Sequence, residues 1–116
     1  MSDALQDHLK VIRVRFTTLL EERLDELEDL REQIDSNTRL VESLKQIQFI
    51  AHKIAGTAGM LGFETLGKLA AKAENTIIPL LAGESSAPTL PTTVAAIDTF
   101  IEAAAEVSSE MHWETA

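Results

Sequence analysis

Apolar residues recur every three or four positions from Leu5 onward, through Leu9, Ile12, Phe16, Leu19 or Leu20, Leu24, Leu27, Leu30 and Ile34. That spacing follows the helical period of about 3.6 residues and lays one stripe along one face. It predicts a long first helix over residues 5–34, with room for a break that would set off a short extra helical segment at the N-terminus. Asp35, Ser36 and Asn37 then supply turn and cap chemistry. A second stripe, Leu40, Leu44, Ile47, Ala51, Ile54, Ala58 and Leu61, predicts a second helix, which Gly62 can end in the left-handed conformation. From Phe63 and Glu64 a third helical pattern runs through Leu66, Leu69, Ala70, Ala73, Ile77 and Leu80 or Leu81, folding back on the second as a hairpin. Pro79 kinks or tightens the end of this helix, and Gly83 stops it. Residues 84–91 (ESSAPTLP) have loop composition. Thr92 or Thr93 can cap a last helix carrying Val94, Ile97, Ile101, Ala104 and Val107, after which the tail HWETA is expected to fray.

No run of alternating β-branched residues is bounded by turns, so strands are not expected. Four helices with one apolar stripe each predict an all-α protein, an antiparallel up-and-down four-helix bundle forming one domain over residues 1–116. The 45% of hydrophobic residues is enough for a single core. A net charge of -9 disfavours attraction to a phosphate backbone, so nucleic acid is not an expected partner. Eight of the acids lie between Glu21 and Asp35, where a solvated outer face explains them. There is no cysteine, no apolar signal core in MSDALQDHLK and no run of eighteen apolar residues. The expectation is a cytoplasmic monomer without membrane association, its four stripes satisfying one another.

The candidate chemistry lies on the second helix, in AHKIAGTAGMLGF from Ala51 to Phe63. Glycine inside a helix costs about 1 kcal/mol relative to alanine, so Gly56 and Gly59 ask for a compensating role. A step of one residue from the core stripe rotates by about 100° and reaches Lys45, Gln48, His52, Ala55 and Gly59, with Gly56 beside them. His52 therefore stands on the flank of the buried face, with small residues after it. Two roles fit this cleared strip: close packing of helices, or access for another protein to the imidazole. Other chemistry lacks its signature. No Glu-x-x-His pair suits a helical di-metal site, His8 and His112 have no matching ligand spacing, and neither a phosphate-binding loop nor a nucleophile-bearing turn occurs. No metal site and no cofactor are expected.

The string HKIAGTAGMLG, His52 to Gly62, resembles the signature of histidine-containing phosphotransfer (HPt) domains, roughly H-x-L-K-G-S-A-x-x-L-G on a helix of a four-helix bundle. His52, Ile54, Gly56, Thr57, Ala58, Leu61 and Gly62 match. The segment Leu66 to Ile77, with Glu74, is similar to the family's following helix. In architecture the resemblance covers about Phe16 to Ser108, and it is specific across Ala51 to Glu74. One departure is Ala55, where the family commonly has lysine.

The resemblance implies a carrier rather than an enzyme: His52 accepts a phosphoryl group from a receiver-domain phospho-aspartate and passes it to another receiver. Response-regulator receiver domains and hybrid sensor kinases are the implied partners, with Mg²⁺ supplied by the receiver. The docking surface is expected around His52, at Lys45, Gln48, Phe49, Ala55, Gly56 and Gly59. In place of the missing lysine, Lys72 is expected first to bring positive charge to the phosphoryl group, since a hairpin centred on Gly62 sets it level with His52. Lys68 and Lys45 are the alternatives, whereas Lys53, about 100° around the helix from His52, is expected to be a poor substitute. A non-catalytic helical interaction module that binds a partner without carrying phosphate is the competing reading.

Overall fold

The computed structural model describes the backbone of residues 2–115, with side chains over residues 3–110. Four helices follow one another: α1 (Ser2–Asp35), α2 (Leu40–Ala58), α3 (Glu64–Ala82) and α4 (Leu90–Thr115). The packed pairs are α1 with α2, α2 with α3, α3 with α4, and α4 with α1, so the helices form a ring in chain order. With short turns between them this is the antiparallel up-and-down bundle that the apolar periodicity predicts. Among the described residues no strand is present, and no helix is long and apolar enough to cross a membrane.

The core lies where the stripes meet. Leu20, Leu27, Ile47, Leu66, Ile77, Ile97 and Phe100 are fully buried, interleaved with Ala51, Ala70, Ala73 and Ala104. Large side chains from some helices fill the space that alanines leave on others, as dense packing requires. α1 is a single helix without the break that its pattern allowed, so its N-terminal turns are not a separate element. Its stripe is buried only from Phe16 onward, while Leu5 is exposed.

Each turn between helices uses the same hydrogen-bonding device. Asn37, Gly62 and Gly83 take positive φ values of 54°, 90° and 70°. The residue after each one donates its N–H back five positions: Thr38 to Gln33 O, Phe63 to Ala58 O and Glu84 to Pro79 O, at 2.9, 2.9 and 3.2 Å. This is the Schellman closure, which satisfies carbonyls that the helix end would leave unpaired. Gly83 thus ends α3 as the sequence indicates, whereas α2 ends at Ala58 and Gly62 closes the turn that follows it; α3 accommodates Pro79 within its last turn.

Side chains of α1 fix both ends of the bundle. Phe16 stacks on Phe63 with ring centroids 5.6 Å apart, and Arg13 Nε donates to Leu61 O at 3.0 Å, together pinning the α2–α3 turn. At the opposite end Arg31 donates to both carboxylate oxygens of Asp98, at 2.7 and 3.3 Å, and to Asp35 at 2.6 Å. These hydrogen bonds, that to Asp98 foremost, hold the Arg31 guanidinium above its ordinary pKa against the opposing effect of burial.

The start of α4 corrects the sequence reading. The helix begins at Leu90 rather than after Thr92 or Thr93, and Thr89 is its cap, accepting the Thr92 N–H on Oγ1 at 3.3 Å. Pro91 falls within the first turn, where its missing N–H is no loss. α4 then runs on to Thr115, and the side chains of the HWETA tail, His112 included, lie outside the described residues. Thr89→Ala should lower the unfolding free energy by about 1 kcal/mol, the usual cost of a lost hydroxyl cap, with a smaller effect for Thr92→Ala. Urea denaturation of the two variants checks the order.

Candidate functional site

His52 lies one position beyond buried Ala51 on α2, and its side chain is 69% exposed. Its Nδ1 is 2.8 Å from Oε2 of Glu74, a residue of α3 whose side chain is only 14% exposed. Gln48, one turn before His52, donates Nε2–H to the same oxygen at 3.2 Å. The carboxylate is thus shielded from water but held by two donors, as a charge in that position requires. With Nδ1 directed at Glu74, the opposite nitrogen, Nε2, faces away from α3. In the neutral ring this arrangement selects the tautomer, with the Nδ1 proton donated to the carboxylate and the lone pair left on Nε2.

The register of the α2–α3 hairpin puts Glu74 there. Gly67 of α3 is buried against Gly59: a Cβ added at Gly67 would lie 3.3 Å from Gly59 N and 3.6 Å from the Ala55 carbonyl oxygen. The backbones meet here with no side chain between them. The pairs 59/67 and 52/74 share the same midpoint, Phe63, so the hairpin turns one residue later than a centre at Gly62 would place it. The position level with His52 is Glu74 and not Lys72. Lys72 is two residues away, about 200° around α3, and lines the groove between α3 and α4 with Thr92, Ala95 and Thr99. Lys68 is also exposed on α3, the helix from which Nε2 is turned away.

On its other side His52 opens onto a groove of about 430 Å³ between α1 and α2, lined by Phe16, Leu19, Arg23, Phe49, Lys53 and Gly56 among others. Leu19 and Phe49 are 45% and 58% exposed. The ammonium of Lys53 sits 4.6 Å from the centroid of the Phe49 ring. The surface expected around His52 is therefore divided. Phe49 and Gly56 belong to the groove, Gln48, Ala55 and Gly59 meet α3, and Lys45 is exposed two turns back on the face of His52. The α1 contribution, Leu19 and Arg23, is absent from the sequence reading. Its signal was the adjacent pair Leu19 and Leu20, one leucine more than a single stripe needs.

The glycines separate into two kinds. An added Cβ at Gly56 meets nothing within 4 Å, so packing does not ask for glycine there. Gly67 instead sets the helix approach, seated against the backbone of Gly59, where an added Cβ would itself meet only the Ala55 carbonyl oxygen at 4.0 Å. Gly56→Ala should accordingly stabilise the fold by about 0.5–1 kcal/mol, the helix-propensity gain with no clash. Gly67→Leu should destabilise it by about 1–3 kcal/mol through overpacking. Chemical denaturation of the two variants should give shifts of opposite sign.

Among the described residues no group of three or more His, Cys, Asp or Glu is arranged to hold a metal ion. In comparison with known families, the model described as the Hpt domain matches residues 16–107. Neither curated proteins nor solved structures give a match.

Proposed function

Because the chain belongs to the Hpt domain family, whose members carry phosphoryl groups in two-component phosphorelays, we propose that His52 is its phosphoacceptor and exchanges phosphoryl groups with receiver-domain aspartates. The observation that supports this reading most directly is the Glu74 contact to Nδ1, at 2.8 Å, on an imidazole whose other nitrogen is open to a partner.

The chemistry follows from the tautomer. The Nε2 lone pair attacks the phosphorus of an aspartyl phosphate, the P–Nε2 bond forms, and the P–O bond to the aspartate breaks with its electron pair leaving on the carboxylate. The imidazole becomes a cationic phosphoimidazolium, and the Nδ1 proton stays in place against the Glu74 carboxylate. Glu74 therefore favours the state in which the ring is positive, and it holds the ring in line without any proton transfer. The reverse transfer returns the electron pair to Nε2 and the phosphoryl group to a second aspartate. Phosphoryl transfer depends mainly on positioning and charge stabilisation, and a receiver carrying Mg²⁺ would supply the charge on its side. The groove between α1 and α2, with exposed Leu19 and Phe49 beside the open Gly56, is the surface on which the partner docks.

Incubation with phosphorylated receiver domains should give acid-labile, base-stable phosphate on the wild-type chain and none on His52→Gln, with helical content unchanged. Label on His52→Gln would place the acceptor elsewhere, and binding of receivers without label on the wild type would favour the non-catalytic interaction module. Glu74→Gln should slow transfer by about tenfold, the equivalent of roughly 1.4 kcal/mol in one charge-assisted hydrogen bond. Rapid-quench measurement of the initial rate, set beside receiver affinity, tests whether that loss falls on chemistry rather than docking.

A further inference from the structure

We propose that Lys53, seated on the ring of Phe49, is the cation that holds the phosphoryl oxygens when His52 is phosphorylated, an inference that rests on the relay reading above.

A phosphoryl group adds about two negative charges at neutral pH, and here it would arrive on a ring already held by the Glu74 carboxylate. A neighbouring positive charge relieves that repulsion. The direction of Nε2 limits where this charge can come from. Glu74 holds Nδ1 on the α3 side, so a group bonded to Nε2 is carried away from α3, and the groove onto which His52 opens on its other side contains two cations, Arg23 and Lys53. Lys68 and Lys72 belong to α3, on the far side of the ring. Lys45 shares the face of His52 but lies about 10 Å further along the helix axis, and position 55 is alanine.

Between the two groove cations, the contacts favour Lys53. Arg23 is engaged with Glu26, Nη1 to Oε2 at 3.0 Å. Lys53 instead rests its ammonium 4.6 Å from the Phe49 centroid. A ring face attracts a cation without neutralising it, so the charge remains available to an anion. Helical geometry gives Phe49 a second use. Lys53 departs from α2 about 100° around from His52, too far to face it directly, whereas Phe49 lies only about 60° around on the same side. Leaning over Phe49 brings the ammonium back toward the histidine. This also gives a reason for a phenylalanine that is 58% exposed at this point of the surface.

The lifetime of phosphohistidine reads this interaction without a partner. Loss of the phosphoryl group to water passes through a loose, metaphosphate-like state in which the oxygens carry less negative charge than before. A cation bound to those oxygens therefore favours the ground state and lengthens the lifetime. The chain is phosphorylated with phosphoramidate, the label is assigned to His52 by mass spectrometry, and its decay at neutral pH is followed by ³¹P NMR. Lys53→Ala should shorten the half-life about two- to five-fold, the range of one exposed charge contact. Lys53→Arg should restore most of it, Phe49→Ala should shorten it by less than Lys53→Ala does, and Lys10→Ala, which removes the same charge from the exposed start of α1, should leave it unchanged. Raising the salt concentration should shorten the wild-type half-life toward that of Lys53→Ala. A labelled Lys53→Ala chain with the wild-type half-life overturns the inference while leaving the relay intact, as does a loss confined to Arg23→Ala. A wild-type chain that takes no label at His52, from phosphoramidate or from phosphorylated receivers, overturns the relay reading and this inference with it.

Discussion

The approach of α2 to α3 at Gly59 and Gly67 is the contact on which the rest of the site depends. No side chain separates the two backbones there, and a single Cβ at Gly67 would stand 3.3 Å from the Gly59 nitrogen. Such a contact fixes both the spacing and the register of the hairpin. Phe16 against Phe63 and Arg13 on the Leu61 carbonyl hold the turn from the side of α1, so the register cannot slide without disturbing a third helix. From this register it follows that the α3 residue level with His52 is Glu74, and that one imidazole nitrogen is engaged while the other is open. The geometry around His52 is a consequence of helix packing two turns away.

The sequence carried the faces of the helices but not their relative register. Period alone placed Ile47, Ala51, Ile54 and Ala58 inside and His52 outside, because rotation about a helix axis is set by counting residues. The closing glycines were legible for a similar reason: a left-handed residue at a helix end is a local requirement. Which residue of α3 would meet His52 was not local. A hairpin centre displaced by one residue, from Gly62 to Phe63, moves the partner by two, from Lys72 to Glu74, and inverts the sign of the charge. Only the close backbone contact at Gly67 settles that centre, and a glycine in a helical pattern does not say what it touches. The first turn of α4 failed in a different way. Pro91 reads as a loop residue, yet a proline fits the opening turn of a helix, and the cap moved back to Thr89.

The family match spans residues 16–107, and its first residue is also where burial begins on α1. The four-helix ring and the matched segment coincide there. The turns of α1 before Phe16, with exposed Leu5 and half-buried Leu9, lie outside that segment.

Charge gives the site its remaining logic. The chain carries a net charge of -9 with eight acids between Glu21 and Asp35, a field that opposes the approach of any anionic group. Screening weakens this field beyond about 10 Å at ordinary salt, so the charges nearest His52 matter most. In the proposed relay Glu74 is among them, because it selects the tautomer of the neutral ring and would favour the cationic ring of a phosphorylated state. It also repels the phosphoryl oxygens. A carboxylate on one nitrogen and cations on the side of the other would resolve the conflict: the negative charge meets the proton on Nδ1, and the positive charges of the α1–α2 groove lie on the side to which Nε2 turns. The imidazole thus sits between opposite charges, an arrangement that in the proposed relay polarises it along the direction in which phosphorus would arrive and leave.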